Sequence, residues 1–235
     1  NIEFKSQIKN FTLLTTLTFF VLAFLNNDYD SNNKKPNSIL YYSDLDTKQS
    51  YWLSRNENLD EFTSQFFNEN ESIKEASFFS SSSKYGTPHK QSASAEFIEF
   101  KSSKIQILSD TIIGNKRSLK FRVKPERKIN KINFTTDDPF VLNSMSVQGI
   151  EFEIDKSDFK IDPGQFLTYY FSSSDKDLTI ELNFEENLSP NFNLIETSFD
   201  LFESEMFNFN PRKDYMMPMP FVNTDAIVLS KKIEL

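Results

Sequence analysis

The chain has 235 residues, of which 38% are hydrophobic and 15% aromatic, so it can bury one sizeable core. Its formal net charge of -8 argues against a nucleic-acid partner, because a general binder of phosphate backbones needs surplus Lys and Arg. The absence of cysteine excludes a disulfide framework, a thiol nucleophile and a thiolate zinc site.

The first predicted element is an apolar run at residues 11–25, FTLLTTLTFFVLAFL, which carries no charge and follows Lys5 and Lys9. As a helix it covers about 22 Å, whereas the hydrocarbon core of a bilayer is about 30 Å thick. Three interpretations stay open: a signal-peptide core, a buried core helix, and a transmembrane helix whose Lys9 reaches the interface. We favour the third and predict that residues 1–25 anchor the chain, with the lysines on the cytoplasmic side.

A linker and a β-hairpin are predicted next. Residues 26–37 are rich in turn formers and show no apolar period, so we interpret them as a linker to a domain that spans residues 38–235. The β-branched and aromatic residues at 38–43 are expected to pair with residues 51–53 across a turn at 44–48.

A helix is predicted after the hairpin. Asn58 is a suitable N-cap, and Glu61 follows it three residues later. Leu59, Phe62 and Phe66 then fall on one face of the helix, which we expect to dock on a sheet.

Alternating strands are predicted to follow a long surface loop at residues 68–95, which is acidic and then rich in serine. Four sets of apolar residues alternate with polar ones: Ile105 and Ile107; Leu119, Phe121 and Val123; Ile150, Phe152 and Ile154; and Leu178, Ile180, Leu182 and Phe184. This period of two is typical of half-buried strands. It predicts a mainly β domain, an antiparallel β-sandwich with one or two short helices, preceded by the transmembrane helix.

The C-terminal part is predicted to be less regular. A short helical turn is expected near residues 196–202. Two prolines should keep residues 214–222 irregular, and residues 226–229 are expected to close the sheet as an edge strand.

Few residues are candidates for catalysis. His89, the single histidine, is interpreted as an exposed loop residue, because metal sites and serine triads need partners near it. Two pairs of carboxylates lie in predicted turns, where Asp is favoured for its backbone hydrogen bonds: Asp44 with Asp46, and Asp137 with Asp138. A glycosidase pair is the alternative interpretation of these carboxylates.

Lys120, Arg122 and Lys124 form a first candidate surface for a ligand or partner. They point to one face of a predicted strand, opposite its apolar residues. A solvated sheet face is the plainer interpretation, and contact with lipid headgroups or an acidic partner domain is the sharper one.

Tyr41, Tyr42 and Trp52 form a second candidate surface. They could make a platform on which a carbohydrate stacks, although packing in the core of the hairpin is the favoured interpretation.

Two end motifs carry a family resemblance. The segment 35–47, KPNSILYYSDLDT, with residues 51–52, 59–60 and 63–67, resembles the start of the extracytoplasmic C-terminal domain of membrane-embedded zinc aminopeptidases. These are relatives of the endoplasmic-reticulum metallopeptidase and the fungal vacuolar membrane protease, with bacterial members in Bacteroidetes-like genomes. Residues 216–226, MMPMPFVNTDA, are similar to the ending of the bacterial members.

The resemblance implies an accessory role for this chain. In that family a di-zinc peptidase domain comes first, then several transmembrane helices, then this domain. Residues 11–25 would be the last helix, in the inner membrane, with the soluble domain on the periplasmic side. Zinc and the hydrolysis of peptide substrates would belong to the upstream peptidase domain, because no position here matches the family's zinc ligands or catalytic glutamate. We therefore assign no catalytic residue and no cofactor to this chain.

Two alternatives stay open. The domain could be a carbohydrate- or ligand-binding β-sandwich, or a structural subunit of a cell-envelope complex that is recruited through the Ser-rich loop or the basic face.

Overall fold

The computed structural model describes residues 2–26, 28–67, 88–152, 159–173, 176–185 and 191–233. The first element is an apolar helix, α1 (Ile2–Leu25). Its segment Phe4–Leu25 has 22 residues and spans about 33 Å, which is long enough for a hydrocarbon core of about 30 Å. None of that segment is buried within the protein, so the interpretation as a core helix is wrong. The helix can anchor the chain in a membrane.

The threonines of α1 do not prevent this. The hydroxyls of Thr12, Thr15 and Thr18 each donate a 2.9 Å hydrogen bond to the backbone carbonyl four residues earlier. These hydroxyls therefore need no water, which makes them tolerable within lipid.

Fifteen strands follow within the described part of the chain. They are β1 (Lys35–Asn37), β2 (Leu40–Asp44), β3 (Gln49–Ser54), β4 (Gln91–Ala95), β5 (Lys104–Ile113), β6 (Lys116–Lys124), β7 (Lys131–Thr136), β8 (Phe140–Val147), β9 (Ile150–Phe152), β10 (Phe159–Ile161), β11 (Gly164–Tyr170), β12 (Leu178–Glu185), β13 (Phe192–Ser198), β14 (Met216–Pro218) and β15 (Ala226–Ile233).

Most of these strands form two sheets that pack face to face. The seven-stranded sheet has the order β11-β7-β13-β15-β2-β3-β4. The six-stranded sheet has the order β10-β8-β12-β6-β5, with β9 also beside β8. Neighbouring strands are antiparallel except β15 with β2, and β1 with β14 in a separate pair. The prediction of a mainly β, antiparallel sandwich behind an apolar helix is confirmed.

The first core lies between the two sheets. Alternate residues of two strands of the six-stranded sheet are buried there: Leu119, Phe121 and Val123 of β6, and Leu178, Ile180, Leu182 and Phe184 of β12. They face the seven-stranded sheet: the ring of Phe121 in β6 lies 5.9 Å from the ring of Phe134 in β7, measured between ring centres. The period-two interpretation of these two strands is therefore correct. It fails at β9, where Ile150 is 68% exposed, and Ile154 lies outside the described residues.

A second core covers the other end of the seven-stranded sheet. It packs Tyr41 of β2 and two residues of β15, Ile227 and Leu229, against aromatic side chains from the connections. The hairpin of β2 and β3 forms as predicted, with Tyr41 opposite Trp52.

The helix predicted from Asn58 is wrong in type. Only a 3-10 turn forms, at Thr63–Gln65. Asp60, two residues before the N-cap Phe62, supports this turn, because its Oδ1 atom accepts the backbone N–H groups of Thr63 and Phe62 at 2.8 and 3.1 Å. Phe62 and Phe66 are nevertheless buried, as their spacing predicted, because one turn already brings both rings to the second core.

Several segments predicted to be irregular contain strands. The predicted loop at residues 68–95 ends in β4, and residues 68–87 lie outside the described residues. The end of the predicted linker forms β1, and the proline-rich tail forms β14, because these two strands pair with each other.

The position of the last strands also differs from the prediction. The helical turn expected near residues 196–202 is largely wrong, because residues 196–198 belong to β13 and only a short turn follows. β15 is not an edge strand, since it lies between β13 and β2 near the middle of the seven-stranded sheet.

Candidate functional site

The outer face of the six-stranded sheet, the side turned away from the first core, carries the predicted basic residues. Lys120, Arg122 and Lys124 alternate along β6 with buried apolar residues, so all three side chains lie on this face. The structure thus brings these three candidate residues together as predicted.

Acidic residues in β12 and directly before it offset two of these charges. Lys120 Nζ lies 3.1 Å from a carboxylate oxygen of Glu181, and Arg122 Nε lies 3.8 Å from Asp177. Lys124 makes no ion pair with any residue that the structure describes, and it lies opposite Lys104 of β5. The outer face is therefore a strip of mixed charge, which favours the plainer interpretation of a solvated sheet face.

A polar cleft opens on the outer face where β8, β9 and β12 meet. Its volume is about 260 Å³. Seven residues of these three strands line it: Ser144, Met145, Ser146, Glu151, Phe152, Glu181 and Asn183. The side chains of Met145 and Phe152 point to the other face of the sheet, because Met145 lies opposite the buried Leu182 and Phe152 lies opposite Met145. Strand register creates it, because Ser146 of β8 lies opposite Glu151 on one side and Glu181 on the other.

Hydrogen-bond acceptors dominate the lining of the cleft. Asn183 Nδ2 donates to Ser144 Oγ at 2.7 Å, and the amide keeps its second N–H donor and its Oδ1 acceptor. Glu151 makes no ion pair within the part of the chain that the structure describes, while Glu181 shares its charge with Lys120. Among the described residues, two carboxylates and one ammonium group give the cleft one net negative charge.

The aromatic candidates lie inside the protein. Tyr41 is fully buried, and its hydroxyl donates to the Glu96 carbonyl at 2.8 Å. Trp52 is half-buried, with ring centroids 5.1 Å from Tyr41 and 5.0 Å from Phe66. Tyr42 is also buried, and burial raises the pKa of its hydroxyl. Tyr41 and Tyr42 therefore cannot form a stacking platform, and the interpretation as core residues holds.

His89 is buried, so its interpretation as an exposed loop residue is wrong. It lies two residues before β4, and entry of that strand into the sheet brings it inside. Within the described residues no group of three or more His, Asp or Glu side chains comes together to hold a metal ion.

The paired aspartates act in turns and on neighbouring strands. Asp44 accepts the backbone N–H of Asp46 at 2.9 Å, and Asp46 in turn accepts the backbone N–H of Lys232. Asp137 and Asp138 accept side-chain amide hydrogens of two asparagines near the start of β13. These contacts give the aspartates structural roles that match their predicted positions in turns.

A buried charge cluster lies around Glu196, on the seven-stranded sheet. Glu196 of β13 is 1% exposed and accepts the backbone N–H of Ser103 at 2.6 Å. Arg127 Nε lies 3.9 Å from its other carboxylate oxygen, and Lys231 donates to the Ser103 carbonyl. Burial lowers the pKa of Arg127 and Lys231, and the negative charge of Glu196 partly counteracts it. The cluster fixes the segment before β5 to the seven-stranded sheet.

The two end motifs meet in what we call the seam, formed by β1 with β14 and β2 with β15. Both pairs are parallel, with Lys35 opposite Met216 and Leu40 opposite Ala226. Between the pairs, the backbone N–H of Asp225 donates to the Ile39 carbonyl at 2.7 Å.

One arginine clamps the seam. The two Nη atoms of Arg212 donate to the two carboxylate oxygens of Asp225, each at 2.6 Å. Its Nε atom donates to Asn37 at 2.5 Å, and its guanidinium group lies 4.4 Å from the centre of the Phe62 ring. These contacts connect the segment before β14 to the first strand of the domain. Sequence analysis did not identify this arginine, because its partners are 13 and 175 residues away along the chain.

Comparison of the chain with models of known protein families finds no match, and comparison with curated proteins finds none either. The resemblance to the membrane zinc aminopeptidases therefore stays a prediction.

Proposed function

We propose that this chain is the extracytoplasmic accessory domain of a membrane-bound zinc aminopeptidase, together with the last transmembrane helix of that protein. Peptide hydrolysis and the zinc ions belong, in this proposal, to an upstream peptidase domain. The soluble domain lies on the periplasmic side of the inner membrane.

The observation that carries the proposal is the seam. The two motifs on which the resemblance rests, residues 35–47 and 216–226, are about 170 residues apart in sequence but pair strand to strand. Motifs that build one structural unit are expected to occur together, so their joint presence is stronger support than two separate matches.

The position of the seam relative to the membrane also supports the proposal. Nine residues separate the end of α1 from β1, and an extended chain covers at most about 3.5 Å per residue. The seam therefore lies within about 35 Å of the end of the helix. At that distance a domain can contact other membrane-embedded or membrane-proximal parts of the same protein.

No catalytic residue is assigned to this chain. His89 is its single histidine and is buried, whereas a di-zinc site needs several His, Asp and Glu ligands. The domain would act by packing near the peptidase active site, by holding an oligomer together or by contacting peptide substrates.

The alternative is a structural or ligand-binding subunit of an envelope complex. The carbohydrate-binding hypothesis depended on an exposed aromatic surface at Tyr41, Tyr42 and Trp52. Tyr41 and Tyr42 are buried, so they cannot stack on a sugar. The structural form has no comparable observation in its favour.

The membrane orientation can be tested directly, because the chain has no cysteine. We would label single-cysteine variants in intact cells with a membrane-impermeant maleimide. Ser109→Cys, on an exposed part of β5, should react from outside once the outer membrane is permeabilised. Lys5→Cys, before the apolar run, should react only after the inner membrane is opened. The reverse pattern would overturn the proposed localisation.

The link to a peptidase is tested by the genomic reading frame and by activity. We expect the upstream sequence to encode a di-zinc ligand set and several apolar spans. Membranes with the whole protein should release leucine from leucine p-nitroanilide, a chelator should abolish this, and deletion of residues 26–235 should reduce it. An upstream sequence with neither ligands nor spans would refute the proposal.

A further inference from the structure

We propose that one end of the domain docks on the surface of the lipid bilayer that α1 enters, through exposed aromatic and aliphatic side chains. This end, which we call the linker end, is where β2 and β15 begin, at Leu40 and Ala226. The proposal rests on α1 as a membrane anchor. It does not depend on a peptidase domain or on the side of the membrane that the domain occupies, so its failure is distinguishable from that of the proposed function.

The pairing of the strands shows which other segments reach the linker end. β13 is antiparallel to β15, so its last residues lie beside the start of β15. Tyr170, at the end of β11, lies opposite Lys131 of β7, which in turn lies opposite Thr197 near the end of β13. In the six-stranded sheet β8 ends beside the start of β12, to which the chain leads from β11. The turn between β8 and β9, with Ile150, therefore lies at the same end.

Hydrogen bonds join these segments into one surface. Asn130 accepts the backbone N–H of Phe171 through its carbonyl oxygen and that of Phe199 through its side chain, both at 2.9 Å. The ends of β11 and β13 are therefore held together. The Gln148 side chain donates to the Asp177 carbonyl at 2.6 Å, which connects the turn between β8 and β9 to the segment before β12.

The linker end carries large apolar side chains that are open to solvent. Four of them are between 46% and 69% exposed: Ile150, Tyr170, Phe199 and Phe221. Single exposed apolar residues are ordinary on a protein surface, but these four come from four separate segments and lie at one end of the sandwich. Aromatic rings of this kind favour the boundary between lipid and water.

The backbone at Phe221 is a second observation. Its φ angle is +63°, which a bulky residue rarely adopts. The segment that carries it leads into β15, and the Asp225 carbonyl of that segment accepts the backbone N–H of Leu201 at 3.3 Å. Phe221 thus lies beside the turn after β13, in a strained conformation with its ring exposed. Strained residues concentrate at functional positions, which supports a role for this ring.

The linker keeps this surface close to the bilayer. Residues 26–34 are all that separates α1 from β1, and Asp30 accepts the backbone N–H groups of Asn32 and Asn33 in a turn that shortens their reach. A surface held this close meets the bilayer at a high effective concentration, so a weak affinity for lipid is sufficient. The bilayer is therefore the occupant that the anchor favours over a second copy or another protein.

The charges at the linker end do not offer another driving force. Lys104 at the start of β5 forms an ion pair with Glu126, and Arg122 lies 3.8 Å from Asp177. Because charges of both signs alternate here, docking depends on apolar contact and should change little between low and high salt.

The test measures which end of the domain lies near the lipid headgroups. The chain has no cysteine, so single cysteines can carry a fluorescent label. Ser172→Cys is exposed at the linker end, and Asn115→Cys lies in the turn between β5 and β6 at the opposite end. The ten residues of β5 put about 33 Å between the two ends. In nanodiscs with one full chain each and nitroxide-labelled headgroups, the label at residue 172 should be quenched and the label at residue 115 should not.

Variants of the exposed side chains give the decisive comparison. Combined Tyr170→Ser, Phe199→Ser and Phe221→Ser should lower the ratio of docked to undocked domain about tenfold or more, because each ring adds apolar contact with lipid. The matched control replaces three exposed residues away from the linker end with Ser and should leave the ratio unchanged: Ile112, Ile113 and Phe159. Tyr170→Trp, which brings a larger interfacial ring, should raise the ratio without any risk to folding from lost side chains.

Several outcomes would overturn the docking surface. Equal quenching of the two labels, or quenching of neither, would show that this end does not face the bilayer. Quenching at residue 172 that survives the triple substitution, with no gain in Tyr170→Trp, would mean that the linker alone sets the position. Quenching that appears only when a nanodisc holds two chains would assign the surface to a second copy of the protein.

Discussion

Replacement of Arg212 by Met should destabilise the seam and lower the free energy of unfolding of the domain. The guanidinium group donates two 2.6 Å hydrogen bonds to Asp225, and the two side chains are only 12% and 19% exposed. Methionine keeps much of the apolar contact with the Phe62 ring but removes the charge. The Asp225 carboxylate is then left mostly buried without its partner.

The size of the effect follows from these contacts. Removal of one partner of a fully buried ion pair costs about 3–5 kcal/mol, and an exposed pair contributes about 0–1 kcal/mol. For a pair that is more than four-fifths buried we expect a loss of roughly 3 kcal/mol, which includes the lost contact of the cation with the aromatic ring. A domain of this size loses about 2–4 °C of melting temperature per kcal/mol, so the midpoint should fall by about 6–12 °C.

Thermal unfolding of the full chain in nanodiscs, followed by circular dichroism of the β signal, measures this shift. Lys213→Met is the matched control, because the neighbouring Lys213 pairs with Glu61 on the surface and should leave the midpoint unchanged. Arg212→Lys should lie between them, since lysine keeps the charge but cannot bond both carboxylate oxygens in one plane. Equal midpoints for the Arg212→Met and Lys213→Met variants would refute the clamp.

Two further predictions concern pH and the first core. Burial alone raises the pKa of Asp60, but hydrogen bonds from Thr63 and the charge of Lys35 outweigh it and hold that pKa below its usual value. The stability that Asp60 contributes is therefore complete above the unfolded-state pKa of about 3.9 and is lost as pH falls through the folded-state pKa, so Asp60→Asn should flatten the pH dependence of urea unfolding below about pH 5. Phe140→Ala should cost about 3–5 kcal/mol in the same assay, because its ring is fully buried against three other phenylalanines, whereas Phe159→Ala, at a 47% exposed edge position, should cost about 1 kcal/mol or less. Similar losses in the two phenylalanine variants would contradict the assigned core.

Sequence analysis located β6 and β12 correctly because each is buried on one face only. In β6 and β12 every second residue is apolar, so the period of two is visible without any knowledge of the neighbours. β7 was not predicted, because it lies inside the seven-stranded sheet and both of its faces are covered. Lys131 and Asn133 are 3% and 6% exposed there, and such buried polar residues hide the apolar pattern.

The polar cleft could not be located from the sequence for a related reason. The alternation of β12 places Glu181 and Asn183 on its polar face, and that much is local information. Their partners, Ser144 and Ser146, come from β8, whose pairing with β12 depends on a register that includes an irregularity between residues 183 and 184. A shift of one residue would turn these hydroxyls into the core and remove the cleft.

The parallel pairing of β2 with β15 has a consequence for how the domain is made. β15 lies between β13 and β2, and its first residue is paired with Leu40, which is 186 positions earlier. The seven-stranded sheet therefore cannot join its two halves until nearly the whole domain has been synthesised. Contacts over such a separation form slowly, because the loop-closure entropy is lost before the contacts stabilise the fold. If α1 is already in the membrane, the hairpin of β2 and β3 forms close to the bilayer. The edge of β2 that pairs with β15 then has no partner until β15 has been synthesised. The Arg212–Asp225 ion pair and the pairing of β1 with β14 stabilise this contact between the two ends of the domain. This is a physical reason for the two motifs, residues 35–47 and 216–226, to lie at those ends.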